Sequence, residues 1–118
     1  MNRGHLRTSA DRIRRQNGER LMRTYPQLRY LAGAYFHQDY DLDAPTPAGI
    51  IANFADTEPP GAIRELAAEI RSILDSGMTE HQIAELWLTT LQASYEPAED
   101  GLTHRAWLSI VLAALEQT

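Results

Sequence analysis

Apolar residues recur at intervals of three and four through most of this chain, and the intervals break at clusters of proline, glycine and aspartate. Leu28, Leu31, Ala32, Tyr35 and Phe36 follow helical spacing after Tyr25-Pro26, where proline suits the first helical position. The polar stretch Asp39 to Pro47 interrupts them and ends in Thr46-Pro47, a cap and first-turn pair for a second helix carrying Ile50, Ile51 and Phe54. After Pro59-Pro60-Gly61, the stripe Ile63, Leu66, Ala67, Ile70, Ile73 and Leu74 predicts the longest helix, stopped at Asp75-Ser76-Gly77. Thr79 and Gln82 fit a capping box ahead of Ile83, Leu86, Trp87 and Leu91, and the polar residues after Leu88 are expected to prolong that fourth helix. Following a loop from Glu96 to Gly101, Thr103 can cap a fifth helix with Trp107, Leu108, Val111, Leu112 and Leu115 on one face. No segment sustains strand alternation, so the pattern predicts an all-α fold, a compact bundle of about five amphipathic helices. Residues 1–24 have weak periodicity broken at Asn17-Gly18 and read as an Arg-rich N-terminal arm, with the helical domain over residues 25–118.

Charge sharpens this division. The 118 residues carry a net charge of −5 and no lysine or cysteine. That average hides two segments: residues 1–30 hold eight arginines against Asp11 and Glu19, or +6, whereas residues 31–118 hold three arginines against fourteen carboxylates, or −11. A body so acidic repels nucleic acid and membrane surfaces and steers basic partners towards itself. Without cysteine there is neither disulfide nor thiolate chemistry, and no apolar run approaches a membrane span or the core of a secretory signal. The expectation is a soluble, cytoplasmic protein.

Few chemical motifs survive inspection. Asp39, Asp41 and Asp43 alternate like the first ligands of a calcium loop, but Ala44 replaces the required glycine and Ile50 the closing glutamate. His5, His37, His81 and His104 lie on different segments without metal-ligand spacing; His37 is placed to bridge backbone or Asp39, and His81 and His104 fall at first-turn positions expected to be exposed. Neither metal nor cofactor is expected. Glu65 and Glu69 are four apart on one helical face, where two carboxylates can serve acid and base chemistry or simply form a solvated face. Residues 78–87 resemble the first helix of a helix-turn-helix unit, yet residues 88–96 offer no turn and no arginine for a phosphate or a guanine edge. Arg12, Arg14, Arg15, Arg20 and Arg23 of the arm can pair with phosphates, with a tail or an arm folded onto the acidic body as the plainer readings. The aromatic residues belong to the core stripes, except Tyr40, which stands among three aspartates.

Tyr25-Pro26-Gln27-Leu28, Tyr35-Phe36-His37-Gln38-Asp39-Tyr40, Tyr95-Glu96-Pro97 and Trp107-Leu108 together resemble a family of immunity proteins from bacterial contact-dependent growth inhibition systems, over residues 25–116. The resemblance implies a cytoplasmic protein, not an enzyme, that binds and neutralises the C-terminal toxin domain of a large exported adhesin-like protein. Such toxins are commonly nucleases, whose basic surfaces suit an acidic binder. The toxin contacts are then expected on the acidic loops: Asp39, Tyr40, Asp41 and Asp43; Asp56 and Glu58; Glu96, Glu99 and Asp100. The alternative is a nucleic-acid-associated regulator that uses the Arg-rich arm.

Overall fold

The computed structural model describes residues 25–117, so the Arg-rich arm assigned to residues 1–24 lies outside the described residues. Five helices follow one another: α1 (Pro26–Tyr30) running on through a wider turn (Leu31–Tyr35), α2 (Pro47–Thr57), α3 (Pro60–Asp75), α4 (Glu80–Ala84) running on through a second wide turn (Glu85–Thr90), and α5 (His104–Glu116). No strand occurs among the described residues. α5 packs against α2, α3 and α4, while α1 lies along α3.

The expected caps are in place. Thr46 accepts the Gly49 N–H at 3.1 Å and Thr103 accepts the Ala106 N–H at 3.0 Å. Thr79 and Gln82 form a reciprocal capping box. Gly49 also has a steric reason: a Cβ there would stand 3.0 Å from the Ala44 Cβ. The end of α3 and the turn after it receive Arg105, which donates to the Leu74 carbonyl in the last turn at 3.2 Å and to the Met78 carbonyl beyond it at 2.7 Å. A cation at a helix C-terminus satisfies orphan carbonyls and opposes the helix dipole.

Two departures from regular helical spacing shape the molecule. In both wide turns the hydrogen bonds reach back five residues, from Phe36 N–H to the Leu31 carbonyl (3.0 Å) and from Leu91 N–H to the Leu86 carbonyl (2.8 Å). Such π turns add a residue per turn and re-aim the side chains beyond them. The fourth helix does not run on through residues 91–96 as its composition suggests; it ends at Thr90, and Gln92 takes the left-handed φ of 58°. The chain reverses there because its next residues are held by the first and fourth helices. Ala93 N–H donates to the Trp87 carbonyl (3.1 Å), Ser94 N–H to the Phe36 carbonyl (2.8 Å), and the Trp87 indole N–H to the Tyr95 carbonyl (2.8 Å). A turn after the helix thus exists, but Arg105 on the helix beyond it is hydrogen-bonded to the Leu74 and Met78 carbonyls.

Phe36 is the centre of the core. Its ring meets Trp87, Trp107, Tyr95 and Tyr40 with centroids 5.5 to 5.8 Å away. Edge-to-face and tilted pairs at this distance stabilise beyond their buried area. Around the rings stand Leu28, Leu31, Ile50, Ile70, Ile73, Ile83, Leu108 and Val111, all buried.

Candidate partner-binding face

The aromatic-Phe-His-Gln-Asp-aromatic run builds one acidic loop. Once Phe36 is anchored, His37 turns outward and clamps the next residues: its Nδ1 accepts the Asp39 N–H at 3.1 Å and its Nε2 lies 3.0 Å from Asp43 Oδ2. With Nδ1 accepting, the ring proton sits on Nε2 and is donated to Asp43. A short 3-10 turn, Tyr40–Leu42, is closed by the Leu42 N–H to the Asp39 carbonyl and the Asp43 N–H to the Tyr40 carbonyl, both 3.0 Å. Asp39, Asp41 and Asp43 are exposed on this frame.

A second acidic loop meets it. Pro97–Asp100 forms another 3-10 turn, capped by Glu96, whose Oε2 accepts the Ala98 N–H at 2.8 Å, and ended by Gly101 at φ 77°. The Tyr95 hydroxyl donates to Asp100 Oδ2 at 2.8 Å, and the Tyr95 ring stands edge-on to Tyr40 with centroids 5.9 Å apart. Burial, then the negative charges of Asp41, Glu99 and Asp100, push the Tyr40 hydroxyl above its ordinary pKa. One phenol therefore feels carboxylates from both loops, and Asp41, Glu99 and Asp100 gather around Tyr40.

The remaining candidates are engaged elsewhere. Glu58 accepts hydrogen bonds from the Tyr35 and Tyr30 hydroxyls at 2.7 and 3.0 Å, fastening the end of α2 to α1. Asp56 lines an open recess between α2 and α5. Both lie at the far end of α2 from the 39–43 loop, about 15 Å of helix away. Glu96 is partly buried, and its Oε2 stands 3.1 Å from His104 Nε2, off the line of a hydrogen bond.

His104 itself was expected at an exposed position but is 6% exposed. Glu80 reaches it from α4: Oε2 takes the His104 backbone N–H (2.6 Å) and lies 2.9 Å from Nδ1, while Oε1 takes the Arg105 N–H (3.1 Å). Burial raises the Glu80 pKa, but the two backbone bonds and His104 outweigh it and hold the carboxyl below its usual value. The start of α5 is thus capped by a residue of another helix, a pairing that sequence spacing does not reveal. Among the described residues no group of three or more His, Cys, Asp or Glu is arranged to hold a metal ion, and no helix is long and apolar enough to cross a membrane.

The comparisons agree with this architecture. The chain is similar in fold to a chain of the crystal structure of a CdiA-CT/CdiI complex from Y. kristensenii, with a TM-score of 0.74, 24% identity, and coverage of 77% of this chain and 97% of that one. No curated protein matches the chain. Residues 24–115 match the CdiI immunity protein family, so the chain belongs to that family.

Proposed function

We propose that this protein binds its cognate CdiA C-terminal toxin domain and neutralises it by occupancy, without performing a reaction. The family match over residues 24–115 carries the reading, and the fold it shares with a chain of a CdiA-CT/CdiI complex supports it. The protein acts in the cytoplasm, and the toxin is a nuclease. The docking face is the pair of acidic loops, with Asp39, Tyr40, Asp41, Asp43, Glu99 and Asp100 as contacts and Glu96 in support. Such a face matches the basic groups that a nuclease presents to phosphate, and opposite potentials accelerate encounter. Asp56 and Glu58, at the other end of α2, bear on the helix packing described above and extend the contact only if the toxin wraps around that edge. Residues 25–118 suffice for neutralisation, and the arm is dispensable.

Co-expression of the toxin domain with the full chain or with residues 25–118 tests the reading. Copurification and restored growth are expected in both cases. Charge reversal at Asp41 and Asp43 weakens the complex, whereas reversal at the solvent-exposed Asp75 does not. A protein that neither copurifies with the toxin nor protects, but binds RNA or DNA in a salt-sensitive manner that requires residues 1–24, is the regulator instead.

A further inference from the structure

Between Asp41 and Asp43, at the tip of the first acidic loop, Leu42 is 81% exposed, against 45% for Tyr30 and 42% for Ile110. Single apolar residues on surfaces are ordinary. What sets Leu42 apart is the frame that presents it. Its turn is closed by hydrogen bonds at Leu42 and Asp43, Tyr40 N–H donates to the His37 carbonyl at 3.0 Å, and the His37 ring clamps Asp39 and Asp43. Tyr40 packs on Phe36 and Tyr95 beneath the loop, while the leucine two residues later points away from the core.

We infer that Leu42 is the apolar anchor of the docking face, seated in a hydrophobic socket of the toxin domain that is ringed by arginine or lysine. The inference rests on the toxin-binding reading. Protein interfaces place an apolar centre within a polar rim, and here the rim is Asp39, Asp41 and Asp43 with Glu99 and Asp100 beside it. A turn already bonded at Asp39, Tyr40, Leu42 and Asp43 loses little freedom on docking, which leaves more of the contact energy as affinity. The rim also selects the occupant. A second copy of this face would set Asp41 and Asp43 against like charges, and nucleic acid would meet the same repulsion; a basic protein surface meets attraction. Arg71 and Arg105, paired with Glu116 and with the end of α3, do not neutralise the rim from within.

The test is calorimetric titration of the full chain, as wild type, L42S and L42M, with an inactive form of the cognate toxin domain, alongside thermal unfolding of each free protein. L42S is expected to bind at least about tenfold more weakly, the loss associated with a central interface residue, with its unfolding temperature unchanged, and L42M to stay within about threefold of wild type. L42S binding as tightly as wild type overturns the anchor while leaving the toxin reading intact. Failure of the wild type to bind overturns the toxin reading itself. If L42S instead changes the sedimentation of the free protein and not its toxin affinity, the leucine is a self-association contact and the inference is wrong.

Discussion

The carboxylate of Glu69, in the middle of α3, accepts the backbone N–H of Leu28 at 2.8 Å and spans to the N–H of Gln27 at 3.0 Å. A buried acid from one helix thereby caps the first turn of another, where the N–H groups have no intrahelical partner and the dipole favours negative charge.

Replacing Glu69 with alanine strips that cap from a buried site and is expected to cost about 1.5–3 kcal/mol, the worth of hydrogen bonds to a charged group. Urea unfolding measures it. Burial raises the Glu69 pKa despite the opposing backbone bonds, so the folded protein holds this proton more tightly than the unfolded chain. Its proton-linked contribution is therefore fully present below the unfolded carboxyl pKa and is lost as pH rises through the raised folded value. The stability difference between wild type and Glu69→Gln should shift in that direction across the same range; a flat difference refutes the assignment.

Tyr35 gives an alkaline counterpart. Burial, then its hydrogen bond to Glu58, push its hydroxyl up from 10.0 to about 12. Tyr35 favours the folded state below the unfolded value, and that contribution is lost as pH rises through the folded one. Ultraviolet titration of Glu58→Gln should find a tyrosine ionising earlier than in wild type, and Tyr35→Phe should remove one tyrosine from the late transition, leaving Tyr95, whose hydroxyl is also pushed up by burial and by its hydrogen bond to Asp100.

The two tryptophans should respond differently to the same change. Trp87 Nε1 donates to the Tyr95 carbonyl, whereas Trp107 Nε1 is buried with no hydrogen-bond acceptor among the described residues. Trp87→Phe leaves a buried carbonyl unpaired and Trp107→Phe removes an unpaired donor. Trp87→Phe is thus expected to be more destabilising by about 1–2 kcal/mol in equilibrium unfolding. Equal losses would contradict the hydrogen-bond account.

Gln92 holds a left-handed φ of 58° that disfavours any side chain with a Cβ. Glycine there relieves about 1–2 kcal/mol of strain and gives back part of it as chain entropy, so Gln92→Gly should raise the melting temperature. A lowered melting temperature would mean that the Gln92 side chain contributes more than its backbone costs.

Much of the fold is legible in the sequence. Stripes such as Leu66, Ile70 and Ile73 give the helices, and Thr46, Thr79 and Thr103 give their starts, because both signals are local. The π turns are not legible, since the spacing of Leu31 to Phe36 suits either winding. Glu69 and His104 look like exposed polar residues because their partners lie 41 and 24 positions away in the chain. The acidic loops can be found singly, but their union depends on Tyr40 meeting Tyr95, a contact between rings 55 residues apart that no spacing rule encodes.

The aromatic hub around Phe36 has a consequence for how such a protein can diversify. Both acidic loops leave the same set of buried rings, yet Asp39, Asp41, Leu42 and Glu99 project from their tips and support none of them. Most surface substitutions away from special features alter stability by less than about 0.5 kcal/mol. The tips can therefore vary in sequence at little cost to the fold, while a change at the hub disturbs both loops at once.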